Sequence, residues 1–306
     1  MKFLVFGAGA VGGVVGARLA QAGHDVRVVA RGAHAAAIRA QGLVVHAPNG
    51  TDVVPVPVVD EPAVDDTTIV LLAVKTQDVA DALRALAIAA PPTTPVVCMT
   101  NGLAAEPQAA RWFTHVYGMC VNTPSTYLEP GVVLAWGEPV AGMYDIGRFP
   151  AGRDATCDGI AAAFEAAHLW SRSDADIMRW KRGKLLFNLS NALDALCGPA
   201  GRTHPLVAEL RAEGERVYAA AGLSTTTVDE TTARQGAFRT GTLPAYSRVT
   251  VGGSTWQSLA RGAHVLECEY LNGEIALLGR IHGVPTPAND GVLRAVTRAA
   301  AGAGTP

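Results

Sequence analysis

Short apolar segments alternate with longer helix-compatible segments along the first third of the chain. The apolar segments cover residues 2–6, 24–31, 67–75 and 94–102, and residues 10–23 and 77–90 between them have the composition of helices. Strands separated by helices of this length are typical of βαβ units. The pattern therefore predicts a parallel sheet, which binds ligands beyond the carboxyl ends of its strands.

The pattern changes near residue 170, after which few strand-like segments remain. Residues 174–197, 205–222 and 262–283 all have helical patterning. We therefore predict an α/β protein with an N-terminal Rossmann-type, doubly wound sheet over residues 1–172. An all-helical C-terminal domain over residues 173–306 is expected to bind substrate, and its apolar faces would permit a homodimer.

The composition excludes several classes of protein. A chain of 306 residues that is 49% hydrophobic can bury a core, and a net charge of −2 gives no electrostatic basis for binding nucleic acid. The five cysteines are scattered without zinc-site spacing, so we expect no metal site and a reducing, cytoplasmic environment. Beyond the glycine-rich N-terminal segment, no uncharged apolar stretch is long enough to predict a membrane span.

A glycine-rich turn follows the first predicted strand. Its sequence, GAGAVGG, places Gly7, Gly9 and Gly12 in a G-x-G-x-x-G pattern between a strand and a helix. In that context the glycines permit a tight turn, close approach of a pyrophosphate and tight helix packing. The helix that follows offers backbone N–H groups to phosphates, so Ala10 and Val11 belong to the predicted dinucleotide site.

The second predicted strand ends in VVARG, with Arg31 where NAD-binding proteins usually carry an acidic residue. A guanidinium group can bind a 2′-phosphate through two hydrogen bonds, whereas a carboxylate would repel it. The sequence therefore favours NADP(H) over NAD(H). The alternative is an arginine that simply lies on the surface at the end of a strand.

Two later strands also end in a polar side chain. Lys75 follows an apolar run, and Asn101 follows the next one. Because carboxyl ends of parallel strands meet at one sheet edge, both residues are candidates for the cofactor site. Asn101 is also a candidate for substrate binding, although Asn-Gly after a strand is equally typical of a turn.

The stretch MRWKRGKLLFNLSNAL, residues 178–193, predicts one amphipathic helix with an unusual polar stripe. Lys184, Asn188 and Asn191 are spaced i, i+4 and i+7, opposite a face of leucines. Asparagine is a poor helix former, which favours a stripe that faces a substrate over one that faces solvent.

A lysine suits a reductase because hydride transfer to a ketone carbon places negative charge on its oxygen. An ammonium group can stabilise that charge and then donate a proton. Ser254 and Glu267 in the next helical region could complete such a site. Ser254 is equally plausible as a helix N-cap, and only one of Glu267 and Glu269 can face the site, because neighbouring positions on a helix diverge.

The chain resembles the ketopantoate reductase (2-dehydropantoate 2-reductase) family over nearly its whole length. The resemblance rests on the order and spacing of GAGAVGG, VVARG, VKTQDV, the Asn-Gly after the fourth strand, KLLFN, STWQSLARG, ECEYLNGEI and HGVPTP. It implies NADPH-dependent reduction of a 2-oxo acid to a 2-hydroxy acid in a cleft between two domains. In pantothenate biosynthesis that reaction converts 2-dehydropantoate to pantoate.

The resemblance also implies roles for individual residues. Lys184 and Glu267 resemble the catalytic lysine and glutamate of the family, and Asn188 and Ser254 match its substrate-binding amide and hydroxyl. Lys75 and Asn101 match positions near the nicotinamide, and Arg31 matches the 2′-phosphate contact.

Three alternatives remain open at this point. The protein could reduce another 2-oxo acid or ketone, or be an NADP-dependent dehydrogenase of the same two-domain plan that acts on 3-hydroxy acids or forms opines. A non-catalytic NADP(H)-binding sensor is the third possibility, for which Lys184 and Glu267 would not need to converge.

Overall fold

The computed structural model describes residues 1–127, 129–243, 246, 252–260 and 265–302. Its strands are β1 Lys2–Phe6, β2 Asp25–Val29, β3 Leu43–Ala47, β4 Gly50–Val54, β5 Val58–Val59, β6 Thr68–Leu72, β7 Val96–Cys98, β8 Val116–Asn122, β9 Ser125–Thr126, β10 Val132–Ala135, β11 Gly137–Glu138, β12 Met143–Arg148 and β13 Arg239–Thr240. Its α-helices are α1 Ala10–Gln21, α2 Gly32–Gln41, α3 Val79–Ala89, α4 Ala105–Ala109, α5 Ala155–Ala166, α6 Ile177–Asn188, α7 Asn191–Cys197, α8 Leu206–Ala220, α9 Val228–Gln235, α10 Ser254–Ala260, α11 Asn272–His282 and α12 Pro287–Ala300.

The main sheet has seven strands in the order β12-β8-β7-β6-β1-β2-β5. Six of them run parallel, and β12 pairs antiparallel with β8 at one edge. The central strands β6 and β7 are buried at every position, as expected for a parallel sheet covered by helices on both faces. The predicted doubly wound α/β fold is confirmed.

A second, four-stranded sheet in the order β4-β3-β10-β9 lies outside the sequence-based prediction. β3 and β4 form a hairpin, and β4 begins with Gly50, Thr51 and Asp52, which weaken its apolar signal. β10 then pairs in parallel with β3, which is far away in the sequence. Such long-range pairing leaves no local pattern that could have predicted it.

Contacts divide the chain into two compact units. The first contains Met1–Thr100, Ala105–Met178 and Asp229–Val249, and the second contains Asn101–Ala104, Arg179–Val228 and Thr250–Pro306, each over its described residues. One reason that part of 229–249 groups with the first unit is an ion pair between Arg234 and the buried carboxylate of Asp145 in β12, with bonds of 2.6 and 2.7 Å. A division into domains 1–172 and 173–306 stays a prediction.

Every secondary-structure element in the described part of the second unit is a helix, and loops connect these helices. The leucine face opposite the polar stripe forms its core, in which Leu185, Leu189 and Leu193 are buried with residues of α8, α11 and α12. The prediction of one continuous helix over residues 178–193 is wrong: α6 ends at Asn188 and α7 begins at Asn191. At the break, the hydroxyl of Ser190 donates to the carbonyl of Phe187 at 3.2 Å, a local bond of the kind that competes with helix continuation.

Among the described residues, no helix is long and apolar enough to cross a membrane. Over the same part of the chain, no group of three or more histidine, cysteine, aspartate and glutamate side chains could hold a metal ion.

Candidate functional site

The glycine turn has the geometry that its three glycines predict. Gly7 follows β1 with φ +106°, and a Cβ on Gly12 would lie 1.9 Å from the carbonyl oxygen of Gly7. Gly9 occupies the N-cap of α1, and a Cβ there would meet no heavy atom within 4 Å. Ala10 and Val11 form the first, half-buried turn of α1. The turn is therefore closed around Gly12 and open beside Gly9, which fits a dinucleotide pyrophosphate at the helix N-terminus.

Arg31 follows the neighbouring strand, at the same edge of the sheet. β1 and β2 pair in register, and the N–H of Gly7 donates to the carbonyl of Val29 at 3.1 Å. Arg31 follows β2 as the N-cap of α2, and it is exposed. The structure thus places Arg31 directly after the strand that neighbours β1, and its contact with a 2′-phosphate stays a prediction.

Lys75 occupies the corresponding place on the other side of β1. β6 pairs with β1, and Lys75 comes after β6 as the N-cap of a short 3-10 helix, Thr76–Asp78. Its side chain is half-buried. Gly7, Arg31 and Lys75 therefore follow three adjacent parallel strands, at the edge where such sheets bind ligands.

Lys184 contacts Asn101 within the helical unit. The Nζ of Lys184 donates to the Oδ1 of Asn101 at 2.8 Å, although the residues are 83 positions apart in sequence. Gly183 lets this part of α6 pack closely, because a Cβ there would lie 2.0 Å from the Oγ1 of Thr226. The amide oxygen of Asn101 orients the ammonium group of Lys184, and it carries no negative charge that would neutralise that group.

Glu267 begins a 3-10 helix, Glu267–Tyr270, which packs against the chain beside Asn101. Gly102 has φ +77°, and a Cβ there would lie 2.7 Å from the carbonyl oxygen of Tyr270. Glu267 is buried and Glu269 is exposed, as the expected divergence of the two acids requires. Burial raises the pKa of the neighbouring Cys268 to about 12, so its thiol stays protonated at neutral pH and is not a nucleophile.

The two asparagines of the stripe lie in different surroundings. Asn188 is buried at the end of α6, the helix that carries Lys184. Asn191 begins α7, and its Oδ1 would be 3.2 Å from a Cβ on Gly253. Because the helix breaks between the asparagines, the predicted alignment of Asn191 with Lys184 on one helical face is wrong.

Ser254 is the first residue of α10, and it is not the N-cap residue that the sequence allowed as an alternative. Its Oγ is buried and has no hydrogen-bond partner among the described residues. A buried hydroxyl in this state costs free energy unless a ligand or water satisfies it. A ligand or a water molecule would satisfy this hydroxyl, and the substrate-binding role of Ser254 stays a prediction.

Asp194, which is not among the predicted site residues, holds the start of α10. Its buried carboxylate accepts two bonds from Arg202, at 2.9 and 3.1 Å, and one from the N–H of Gly253 at 2.5 Å. An acid within the leucine-rich stretch ALDALC was the available signal, because a buried carboxylate requires partners. Asp194 thus positions the residue that precedes Ser254.

Family models match both parts of the chain. Residues 3–150 match the model described as ketopantoate reductase PanE/ApbA, and residues 176–300 match the model of its C-terminal domain. The chain belongs to the ketopantoate reductase family. Its members are oxidoreductases, and the family name places them in the pantothenate pathway.

Individual ketopantoate reductases agree with this assignment. The chain is 32% identical to the 2-dehydropantoate 2-reductase of Halobacterium salinarum, over 94% of this chain and 95% of the other. It is 26% identical to the crystal structure of a PanE/ApbA family ketopantoate reductase from Ralstonia eutropha JMP134, with a TM-score of 0.80 over 98% of this chain and 100% of that one.

A ternary structure of D-mandelate dehydrogenase with NADH and anilino(oxo)acetate shares the fold of this ketopantoate reductase family member. The TM-score is 0.83 at 22% identity, over 99% of each chain.

Proposed function

We propose that the protein uses NADPH to reduce a 2-oxo acid to a 2-hydroxy acid, and that 2-dehydropantoate is its substrate. The observation that carries the proposal is the 2.8 Å contact between Lys184 and Asn101. In this contact the candidate proton donor, Lys184, binds Asn101, which comes after β7 in the chain. Membership of the ketopantoate reductase family supports the reaction class.

The choice of NADPH rests on Arg31. The glycine turn fits a dinucleotide, and the exposed guanidinium group after β2 stands where NAD-specific sites carry an acid. Bound NADPH would supply the hydride. The structure of D-mandelate dehydrogenase contains NADH, so NADH is the cofactor to compare in every assay.

The residues of the helical unit have roles that follow from their chemistry. Lys184 stabilises the negative charge that develops on the substrate oxygen and donates a proton to it. Asn101 directs the Lys184 ammonium group through its amide oxygen. Glu267 is the second catalytic residue, and Asn188, Asn191 and Ser254 hold the substrate, with the hydroxyl of Ser254 as the buried donor that a substrate oxygen would satisfy.

The test follows NADPH oxidation by absorbance with a panel of 2-oxo acids. The panel contains 2-dehydropantoate, other branched 2-oxo acids, and the 2-oxo acid that corresponds to mandelate. The proposal is supported if 2-dehydropantoate gives the highest kcat/KM of the panel. A higher kcat/KM with another 2-oxo acid would identify that acid as the substrate instead. NADPH binding without turnover of any member would favour a sensor instead.

Two substitutions of Lys184 separate its charge from its proton. Lys184→Ala should lower kcat at least about 100-fold while the Kd of NADPH changes little, because the lost interaction acts in the transition state. Lys184→Arg keeps the charge but cannot donate a proton near neutral pH, so its kcat should lie between those of Lys184→Ala and the wild type. Unchanged kcat in both variants contradicts the assigned role.

A further inference from the structure

His34 lies in the first turn of α2, and its ring connects three segments of the first unit. One ring nitrogen, Nε2, is 2.7 Å from the carbonyl oxygen of Ala8, in the glycine turn. The other, Nδ1, is 2.9 Å from the backbone nitrogen of Gly131, just before β10. The side chain is buried, and its ring packs against Tyr127 with centroids 4.5 Å apart.

The two partners determine which ring nitrogen carries the proton. The N–H of Gly131 can only donate, so Nδ1 must be the acceptor. The carbonyl oxygen of Ala8 can only accept, so Nε2 must carry the hydrogen. Burial lowers the pKa of His34, which agrees with a neutral ring at physiological pH. His34 therefore forms one donor bond and one acceptor bond at the same time.

The bond to Ala8 has a consequence for the neighbouring peptide group. In a planar trans peptide, the C=O of one residue and the N–H of the next point in opposite directions. Because His34 holds the carbonyl of Ala8, the N–H of Gly9 must point away from the His34 ring. Gly9 is the open N-cap of α1, so this bond fixes the direction of an amide at the candidate pyrophosphate site.

The bond to Gly131 anchors the ring on its other side. Gly131 has φ +80°, and its carbonyl oxygen accepts from the N–H of Val44 in β3 at 2.9 Å. Both backbone polar groups of Gly131 are therefore engaged, which ties the ring to the second sheet. His34 also follows Arg31, the N-cap of α2, by three residues, so one side chain fixes the glycine turn and the helix that Arg31 begins.

We propose that His34 is a positioning residue for the dinucleotide cofactor, which preorganises the Gly9 amide and the start of α2 without touching the reacting atoms. This inference rests on the proposed use of NADPH. Preorganised donors strengthen binding because the loop need not be ordered when the ligand arrives. Loss of the Ala8 bond should therefore weaken NADPH binding and leave the chemical step largely intact.

The matched variants are His34→Asn and His34→Gln, which are both polar and do not titrate. The shorter asparagine side chain places its amide near the position of Nδ1, within reach of Gly131 but not of Ala8. The longer glutamine side chain places an N–H near the position of Nε2 and can still donate to Ala8. Ala36→Gly, at an exposed position of α2, weakens the helix while leaving both bonds of His34 in place.

The experiment measures the Kd of NADPH, the KM for NADPH, kcat and the thermal midpoint Tm for each protein. We expect His34→Asn to raise Kd and KM about tenfold, equivalent to about 1.4 kcal/mol, with kcat at saturating NADPH within about threefold of the wild type. His34→Gln should restore Kd to within about threefold of the wild type, and Ala36→Gly should lower Tm with an unchanged Kd.

Each outcome decides between the hypotheses. Wild-type Kd in His34→Asn, or an equal rise of Kd in Ala36→Gly at equal loss of Tm, overturns the positioning role and leaves the proposed function standing. Failure of the wild type to bind either NADPH or NADH overturns the proposed function, and this inference with it. If His34→Asn does not fold, a tenfold rise of Kd in His34→Gln contradicts the assignment, because that variant retains the Ala8 bond.

Discussion

Two glycines of the turn should respond in opposite ways to substitution by alanine. Gly9→Ala adds a methyl group in open space, since no heavy atom lies within 4 Å of the new Cβ, and φ is −68°, which alanine adopts readily. Loss of a glycine N-cap disfavours the folded state, whereas a stiffer unfolded chain favours it. We expect these effects to offset each other, so that the free energy of unfolding changes by less than about 1 kcal/mol.

Gly12→Ala should behave differently. Its Cβ would lie 1.9 Å from the carbonyl oxygen of Gly7 and 2.9 Å from the Cβ of Ala73. Cβ atoms essentially never come within 3.0 Å of a heavy atom outside their own and the adjacent residues, so α1 or the turn must move by more than about 1 Å. Overpacking of this kind typically costs about 1–3 kcal/mol, and a rigid backbone partner places this site at the upper end.

The assay combines thermal unfolding without cofactor and titration with NADPH. Gly9→Ala should keep the wild-type Tm and raise the Kd of NADPH at least about tenfold, or about 1.4 kcal/mol, because the methyl group occupies the space of the pyrophosphate. Gly12→Ala should lower Tm and weaken binding together. Gly159→Ala in α5, whose Cβ would make only an ordinary 3.6 Å contact with Met1, is the control and should leave binding unchanged.

A wild-type Kd of NADPH in Gly9→Ala would contradict this prediction. It would mean that no phosphate approaches the backbone at Gly9, even if the turn binds a dinucleotide elsewhere.

Three further predictions concern charge and protonation. Arg31→Asp should weaken binding of NADPH more than that of NADH in paired titrations, because a carboxylate repels the 2′-phosphate; an equal loss for both cofactors contradicts that contact. Asp194→Asn removes one of the two carboxylate oxygens that accept hydrogen bonds from Arg202 and Gly253. The KM for the 2-oxo acid should therefore rise several-fold while the Kd of NADPH stays constant. A higher Kd of NADPH with an unchanged KM would contradict a role of Asp194 in substrate binding. Burial lowers the pKa of His34 in the folded protein, so the unfolded chain binds a proton first as pH falls below about 6.5. The wild type should therefore lose stability relative to His34→Gln below that pH and not above it, in urea unfolding at several pH values; a constant difference would show that His34 does not titrate differently in the two states.

The cofactor half of the protein was largely predictable from local patterns. Buried parallel strands read as continuous apolar runs, and the G-x-G-x-x-G turn sits where a strand passes into a helix. The order β2-β1-β6-β7 came from the structure, because the rules of parallel βαβ units allow more than one strand order. The second sheet was not predictable, because the pairing of β3 with β10 joins segments that share no local signal.

For the helical half, the sequence predicted which residues are buried better than where the helices end. The leucine face of residues 185–193 forms the core as periodicity suggested. The break between Asn188 and Asn191 was missed, because i, i+4 and i+7 spacing describes an ideal helix and carries no information on where that helix ends. At the break, the hydroxyl of Ser190 donates to the carbonyl of Phe187. Beyond it, Asp194 in α7 accepts a hydrogen bond from the N–H of Gly253.

The sequence by itself determined the fold class, the glycine turn and the types of side chain at the candidate site, because these depend on periodicity, backbone permissiveness and chemistry at single positions. Only the tertiary structure decided which side chains meet. The contact of Lys184 with Asn101, and the bridge from Ala8 through His34 to Gly131, join residues 83, 26 and 97 positions apart. Contacts of that range arise when the whole chain packs, so no local pattern encodes them.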